Sequence, residues 1–463
     1  MATNVQTSSK HPKGFWFVST LQIFERFSFY GMRGILILFL TSSIASGGLG
    51  LDDKFGSEIY AWFTMLVYFA PLLGGWIADT FFGKRKTFFI GSFFITGGLF
   101  VMFASSGLSM FYVGLGLLII GNGLWKPNIT SLIGDFYDDH DPKKDGAYSM
   151  FYTFTNIGAL FGPMICGFLY ANLFATFENG QIVTYGYKYG FLASGISMLI
   201  GSVLYALFAE KYVGKIGTAC KAADKKNNSH TKSEPLTKSD WKRVATIMGL
   251  SLFVIVFWAG FEQAGSSMTL FAQRYVDRSV GGWMIPTNWF QMINPFFCIV
   301  LGPTFALWFV KLAKRPKGDI PTTRKMAYGL MILASGFAVL MLASLRVEST
   351  GSASWLFLAG AYILHTVGEM FLSPIGLSMV NKLSPKQIAA VMMGAWYAAT
   401  GFGNYLAGIS AGFVESMGSL QIFGMVTVVS LAAGILLLLM GPIFQKVMDE
   451  ADAELAAQRD QAV

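Results

Sequence analysis

The chain has 463 residues, 54% of them hydrophobic and only 13% charged, with a formal net charge of +8 and a mean hydropathy of +0.52. That balance excludes an ordinary soluble enzyme and a disordered chain, and the positive charge calls for no nucleic acid because anionic inner-leaflet lipid accounts for it. Cys166, Cys220 and Cys298 are too widely spaced to form a disulfide framework or a metal motif.

The opening MATNVQTSSKHPKG is polar and lacks the short apolar core and cleavage site of a secretory signal, so the first apolar segment is expected to act as its own insertion signal. Twelve apolar stretches follow, each long enough to cross a hydrocarbon core about 30 Å thick. They lie near 15–44, 55–79, 84–105, 108–128, 145–173, 187–209, 243–272, 287–311, 326–345, 353–380, 385–413 and 420–445. With the first tail inside, 26 Lys and Arg fall in inside segments and five in outside ones, which predicts both termini in the cytosol. The polar run 210–242 has the composition of a flexible tether. It predicts an N-terminal six-helix bundle over 15–209 and a C-terminal one over 243–446, with cytosolic tails at 1–14 and 447–463. Many transporters are built from two such bundles with the site near the midplane, although a long loop of no architectural consequence would read the same way.

Within the first segment, Gln22, Arg26, Phe29 and Arg33 fall within about 60° of one another on a helix, flanked by Glu25 and Tyr30. The rise from Gln22 to Arg33 is about 16 Å, so this polar face runs deep into the membrane. Arg26, Arg33 and Lys126 are cations in the first half, and Glu262 and Glu369 are carboxylates in the second. A charge at the bilayer centre costs about 2.5–3.5 kcal/mol on insertion scales, which reserves such residues for wet, functional cavities. Opposite poles of this kind suit a zwitterionic cargo. A packing alternative stands for Glu25 and Arg26, which can pair with each other.

After the second segment comes GWIADTFFGKRK, in which Gly75, Asp79 and Gly83 precede a basic cluster. This resembles the loop signature of the major facilitator superfamily and implies a lock on the cytosolic side.

The stretch Gln22-Ile23-Phe24-Glu25-Arg26-Phe27-Ser28-Phe29-Tyr30-Gly31 is similar to the E-x-x-E-R-F-x-Y-Y-G motif of the proton-dependent oligopeptide transporter family. Ordered matches continue through Gly121–Asn128, Phe151–Gly158, Phe261-Glu262-Gln263, Asn294-Pro295-Phe296-Phe297, and Gly368-Glu369-Met370 with Ser373-Pro374. The resemblance spans the chain and implies an all-α membrane protein of the major facilitator superfamily fold. It departs at Gln22, where the motif has its first Glu, and at Phe29, where it has Tyr. Gln cannot take up and release a proton, so that role does not carry over. The polar 210–242 run leaves no room for the two extra helices many bacterial members carry.

A di- or tripeptide shares only its termini and backbone with others of its kind, and the residues suit that cargo. Arg33 and Lys126, with Arg26 nearby, can receive the carboxylate, by fork or by point charge. Glu369 can receive the ammonium, helped by Asn156 and Asn294. Tyr30, Tyr68 and Tyr152 offer hydroxyls to the backbone, and Trp396 and Ser373 belong to the pocket. Blander roles stand beside these: packing for Tyr152, a helix contact for Trp396, and capping of a carbonyl freed at a Pro295 kink for Asn294. His365 is left out as a packed core residue.

For coupling, buried Glu262 and then Glu25 are the candidates. The family pattern pairs Glu262 with Arg33 as an outer gate and Lys126 with Glu369 on the inner side. No cofactor is implied, since the proton gradient supplies the energy, and a monomer in the cytoplasmic membrane without an obligate protein partner is expected. Rival functions are carriage of nitrate or a carboxylate, drug export, and intramembrane catalysis. An amine-free anion has no use for Glu369, a drug exporter wants a more apolar cavity, and no metal-ligand spacing or nucleophile motif marks an enzyme.

Overall fold

In the computed structural model, residues 11–138, 141, 143–220, 236–316 and 318–460 are described. The expected tails and the expected tether fall partly outside them, at 1–10, 221–235 and 461–463.

Hydrocarbon offers backbone N–H and C=O groups no partner, so apolar stretches become helices that satisfy them internally. Each predicted stretch overlaps one. In chain order they are α1 (Lys13–Thr41), α2 (Asp53–Ile77), α3 (Lys84–Ala104), α4 (Leu108–Gly134), α5 (Lys143–Phe168), α6 (Tyr187–Tyr212) and α7 (Lys238–Phe261). There follow α8 (Ser267–Tyr275), α9 (Ile293–Ala313), α10 (Thr322–Thr350), α11 (Trp355–Leu383), α12 (Ala389–Ala411), the short α13 (Val414–Met417) and α14 (Ser419–Asp460). Ten helical stretches among the described residues are long and apolar enough to cross a membrane. Helices α1 and α12 match them in length, but their sequences carry Glu25, Arg26 and Arg33 in one and Trp396, Asn404 and Tyr405 in the other.

Two departures from the sequence reading matter for the site. The seventh predicted stretch is not continuous: α7 stops at Phe261, a 3₁₀ turn runs from Glu262 to Gly265, and α8 restarts at Ser267. The eighth opens with a 3₁₀ turn over Thr287–Met292, which puts Pro295 in the first turn of α9. The Asn294 amide there donates to the Thr366 and Glu369 side chains. Beyond α5, β1 (Thr176–Glu178) and β2 (Gln181–Thr184) form a hairpin whose two-residue turn, Asn179-Gly180, has positive φ at both positions. Asn-Gly is the pair such a turn favours.

The chain resolves into two compact units. The first holds Met1–Met32, Ala70–Phe174 and Gly186–Asn228; the second holds Arg33–Phe69, Ala175–Tyr185 and Ser229–Val463. The dividing points fall inside α1 and α2, so the later part of α1 and most of α2 pack with the C-terminal helices.

Small residues bring the backbones together in both units, as membrane helices require when burial of apolar surface supplies no driving force. In the first, α3 crosses α4 so closely that a Cβ on Gly98 would lie 2.8 Å from the Gly114 carbonyl oxygen, and one on Gly91 the same distance from that of Gly121. In the second, Gly401 and Gly408 line the face of α12 against α2, with Gly412 just past its end, and a Cβ on Gly408 would come within 2.5 Å of Ala61. An apolar core built from α7, α8, α10, α11 and α14, including Phe257, Phe271, Phe337 and Leu437, fills the centre of the second unit.

Candidate functional site

In the first unit, the polar face of α1 is a connected network. Trp125 Nε1 donates to Gln22 Oε1 at 3.2 Å, and Gln22 Nε2 donates to Glu25 Oε2 at 3.2 Å. Arg26 Nε lies 2.8 Å from the same Glu25 oxygen. Gln22 and Glu25 are buried, and Glu25 Oε1 has no hydrogen-bond partner among the described residues. The Glu25–Arg26 pairing that the sequence left open is therefore present. Lys126 Nζ stands 4.4 Å from the centroid of the Phe29 ring, a cation–π contact that keeps the ammonium beside α1. Tyr30 sets its ring edge-on to Phe29. Asn156 donates to the Tyr152 carbonyl at 2.9 Å within its own helix, and Tyr152 is exposed.

Around the basic loop, Gly83 has φ 75° and a Cβ there would lie 2.8 Å from the Thr218 carbonyl oxygen, so only glycine fits the turn. Lys84 pairs with Asp135 at 2.8 Å, and Arg85 binds Glu210, Tyr205 and the Gly214 carbonyl. These contacts tie the start of α3 to the ends of α4 and α6. Gly75 is half-buried, and Asp79, exposed in a π-helical turn over Ala78–Phe82, takes part in none of them.

In the second unit, Arg33 and Glu262 form a buried ion pair, with Arg33 8% and Glu262 5% exposed. Arg33 Nε also donates to Tyr60 Oη at 2.9 Å. Glu262 begins the break between α7 and α8, and the break is pinned on several sides. Ser266 Oγ donates to the Ala407 carbonyl, Gln263 Nε2 to Ser410 Oγ at 2.6 Å, and Tyr362 Oη to the Ala264 carbonyl at 3.0 Å. Gly265 makes the room: a Cβ there would sit 1.9 Å from Tyr60 Oη and 3.0 Å from Arg33 Nη2. Unwound helix at membrane depth is tolerated where it is enclosed by protein or lines a cavity.

A second buried acid lies on α11. Glu369 Oε2 accepts from Asn294 Nδ2 at 2.7 Å and from Cys298 Sγ at 3.7 Å, while Asn294 also reaches Thr366 Oγ1 at 3.2 Å. Two donors from α9 thus hold the carboxylate, and Thr366 of α11 helps to orient the Asn294 amide. Of the other pocket residues, Tyr68 and Ser373 are half-buried, and Trp396 is 4% exposed with its ring on Gly376. His365 is buried on Phe337. A further pair, Arg274 with Asp53, is bidentate at 2.5 Å and joins the end of α8 to the start of α2.

The structure brings Gln22, Glu25 and Arg26 together, Lys126 to Phe29, Arg33 to Glu262, and Asn294 to Glu369. Sequence reasoning passed over Tyr60, Gly265, Cys298, Thr366 and the Asp53–Arg274 pair. Only the last carried a usable signal, as two opposite charges at the ends of apolar stretches.

The sequence profile of the POT family, PTR2, matches residues 85–226 and 208–429. The chain is 31% identical to the peptide transporter YePEPT of Yersinia enterocolitica, over 85% of this chain and 86% of that one. It is 30% identical to the uncharacterized transporter YclF of Bacillus subtilis, over 95% of each, and 29% identical to the dipeptide and tripeptide permease A of Chromobacterium violaceum, over 90% and 88%. Among solved structures, peptide transporter POT in complex with sulfate superposes with a TM-score of 0.85 at 27% identity, covering 96% of this chain and 97% of that one. A POT family transporter in complex with 5-aminolevulinic acid shares the fold with a TM-score of 0.84 at 24% identity, covering 94% and 97%.

Proposed function

The chain belongs to the POT family, an all-α, multi-pass membrane transporter of the major facilitator superfamily fold and not an enzyme, and we propose that it imports di- and tripeptides together with protons by alternating access. The relatives that carry names as peptide transporters support the cargo. In this reading the cytoplasmic membrane holds a monomer with both termini in the cytosol, and two bundles, 15–209 and 243–446, rock about the substrate. Arg33, Lys126 and Arg26 receive the peptide carboxylate; Glu369, with Asn294 and Asn156, receives the ammonium; Tyr30, Tyr68, Tyr152, Ser373 and Trp396 surround the rest.

The observation that carries the reading is the buried Arg33–Glu262 pair at the α7–α8 break, with Tyr60 as its third member. Removing one partner of a buried pair leaves the other charge uncompensated, so protonation of Glu262 releases Arg33 to seek another anion. A peptide carboxylate is that anion, and proton uptake is thereby linked to peptide capture. Glu25, with its bare Oε1, is the second candidate for a proton. Gln22 holds a fixed amide in this network, so its position carries no proton and the load rests on Glu262 and Glu25.

The test is uptake of labelled dialanine into proteoliposomes under an imposed inward proton gradient, with excess tripeptide, free alanine or nitrate as competitors. Competition by tripeptide alone is expected; competition by nitrate would replace the peptide reading with an anion carrier. Glu262→Gln is expected to abolish gradient-driven accumulation and leave peptide exchange measurable, and full accumulation in that variant would remove Glu262 from the coupling step.

A further inference from the structure

A cavity of about 590 Å³ opens where α10 begins and the apolar part of α14 ends, away from every residue assigned above to cargo or protons. Arg324 of α10 and Gln445, Lys446, Asp449 and Glu450 of α14 line it. Two cations and two carboxylates thus share one wall. Among the described residues none of these four charged groups is in an ion pair. Gln445 Nε2 donates to Asp449 Oδ1 at 2.9 Å, and Gln445 Oε1 is buried with no partner among the described residues.

The register of α14 adds direction. Leu439, Ile443, Lys446 and Glu450 fall within about 60° of one another on the helix, a single stripe about 16 Å long. Leu439 and Ile443 are among the most exposed apolar side chains of the described residues, at 73% and 65%, and lie late in the apolar run of α14 that is long enough to cross a membrane, just before the helix turns charged. The stripe therefore runs from hydrocarbon into the headgroup zone and changes from apolar to charged where it meets the cavity.

We propose that this cavity binds the headgroup of an aminophospholipid, with the phosphodiester on Arg324 and Lys446, the primary ammonium on Asp449 and Glu450, and an acyl chain along Leu439 and Ile443. Charge complementarity selects that ligand. A purely anionic headgroup would satisfy the cations and face two carboxylates, and a quaternary ammonium has no N–H to give them. The site stands apart from the transport reading and is tested without it.

Full-length protein in a non-ionic detergent is titrated with short-chain phosphatidylethanolamine, phosphatidylglycerol, phosphatidylcholine and, separately, inorganic phosphate, with retention read by native mass spectrometry and stability by Tm. Phosphatidylethanolamine is expected to be retained and to raise Tm well beyond the others. Each cation removed, in Arg324→Ala and Lys446→Ala, should weaken retention roughly fivefold. Glu450→Lys should move the preference toward phosphatidylglycerol. Equal retention of the three lipids, an equal effect of phosphate alone, or wild-type retention by both Arg324→Ala and Lys446→Ala would overturn the assignment.

Discussion

Gly265 shows how far the chemistry of Arg33 depends on a neighbour that carries no chemistry. Its missing side chain is the space in which the Tyr60 hydroxyl meets the guanidinium, since a Cβ would stand 1.9 Å from that oxygen. Gly265→Ala must push Tyr60 off Arg33, and overpacking of this kind costs about 1–3 kcal/mol. The expected outcome is a lower Tm and reduced peptide uptake, with Tyr60→Phe in the same chain recovering most of the stability by deleting the clashing oxygen. No recovery in the double variant would mean that the glycine serves the backbone of the break instead. Arg33→Ala belongs to the same scale: isothermal titration should show weakened dipeptide binding, and unchanged affinity would take Arg33 out of the site. At this scale the sequence was legible where charge is costly. Arg33, Lys126, Glu262 and Glu369 announce themselves because hydrocarbon penalises them, whereas Tyr60 and Cys298 are ordinary in an apolar helix and acquire meaning only from what they touch.

Elements were legible for a different reason: helix length in a membrane is set by bilayer thickness, so composition alone located every long helix. What composition could not locate was the break after Phe261, because a window average treats Glu262 through Ser267 as a slightly less apolar stretch. The break is made by tertiary hydrogen bonds to α11 and α12, which lie more than a hundred positions away or nearly so in sequence. Nor does composition distinguish glycines that permit helix contact from those that do not. Gly408 faces Ala61 at a distance no Cβ tolerates, while nothing lies within 4 Å of a Cβ built on Gly360. Gly408→Ala should therefore force α12 from α2, cost about 1–3 kcal/mol of stability as overpacking usually does, and lower Tm. Gly360→Ala should leave Tm unchanged or slightly raised, since alanine is the better helix former by roughly 0.8–1.0 kcal/mol. Equal effects of the two substitutions would show that the contact at Gly408 yields easily.

For the whole molecule, the sequence separates two halves at the tether, yet contacts group Arg33–Phe69 with the C-terminal helices. Two ion pairs hold that grouping, and their polarity is opposite: the early helices supply the cation to Glu262 but the acid to Arg274. The second orientation has a local cause. Asp53 opens α2 and Arg274 closes α8, so each charge sits at the helix end whose dipole favours it. Exchanging the two charges tests this account against simple pairing. Arg274→Asp alone sets a carboxylate against buried Asp53 and should lower Tm, by less than breaking a fully buried pair does because the Arg274 side chain is one-third exposed. Adding Asp53→Arg restores an opposite pair but places both charges at the wrong helix ends. With about 0.3–1 kcal/mol lost at each end, the double variant should melt between the single variant and the parent protein. Full recovery would dismiss the dipoles, and a double variant no better than the single would dismiss the pair.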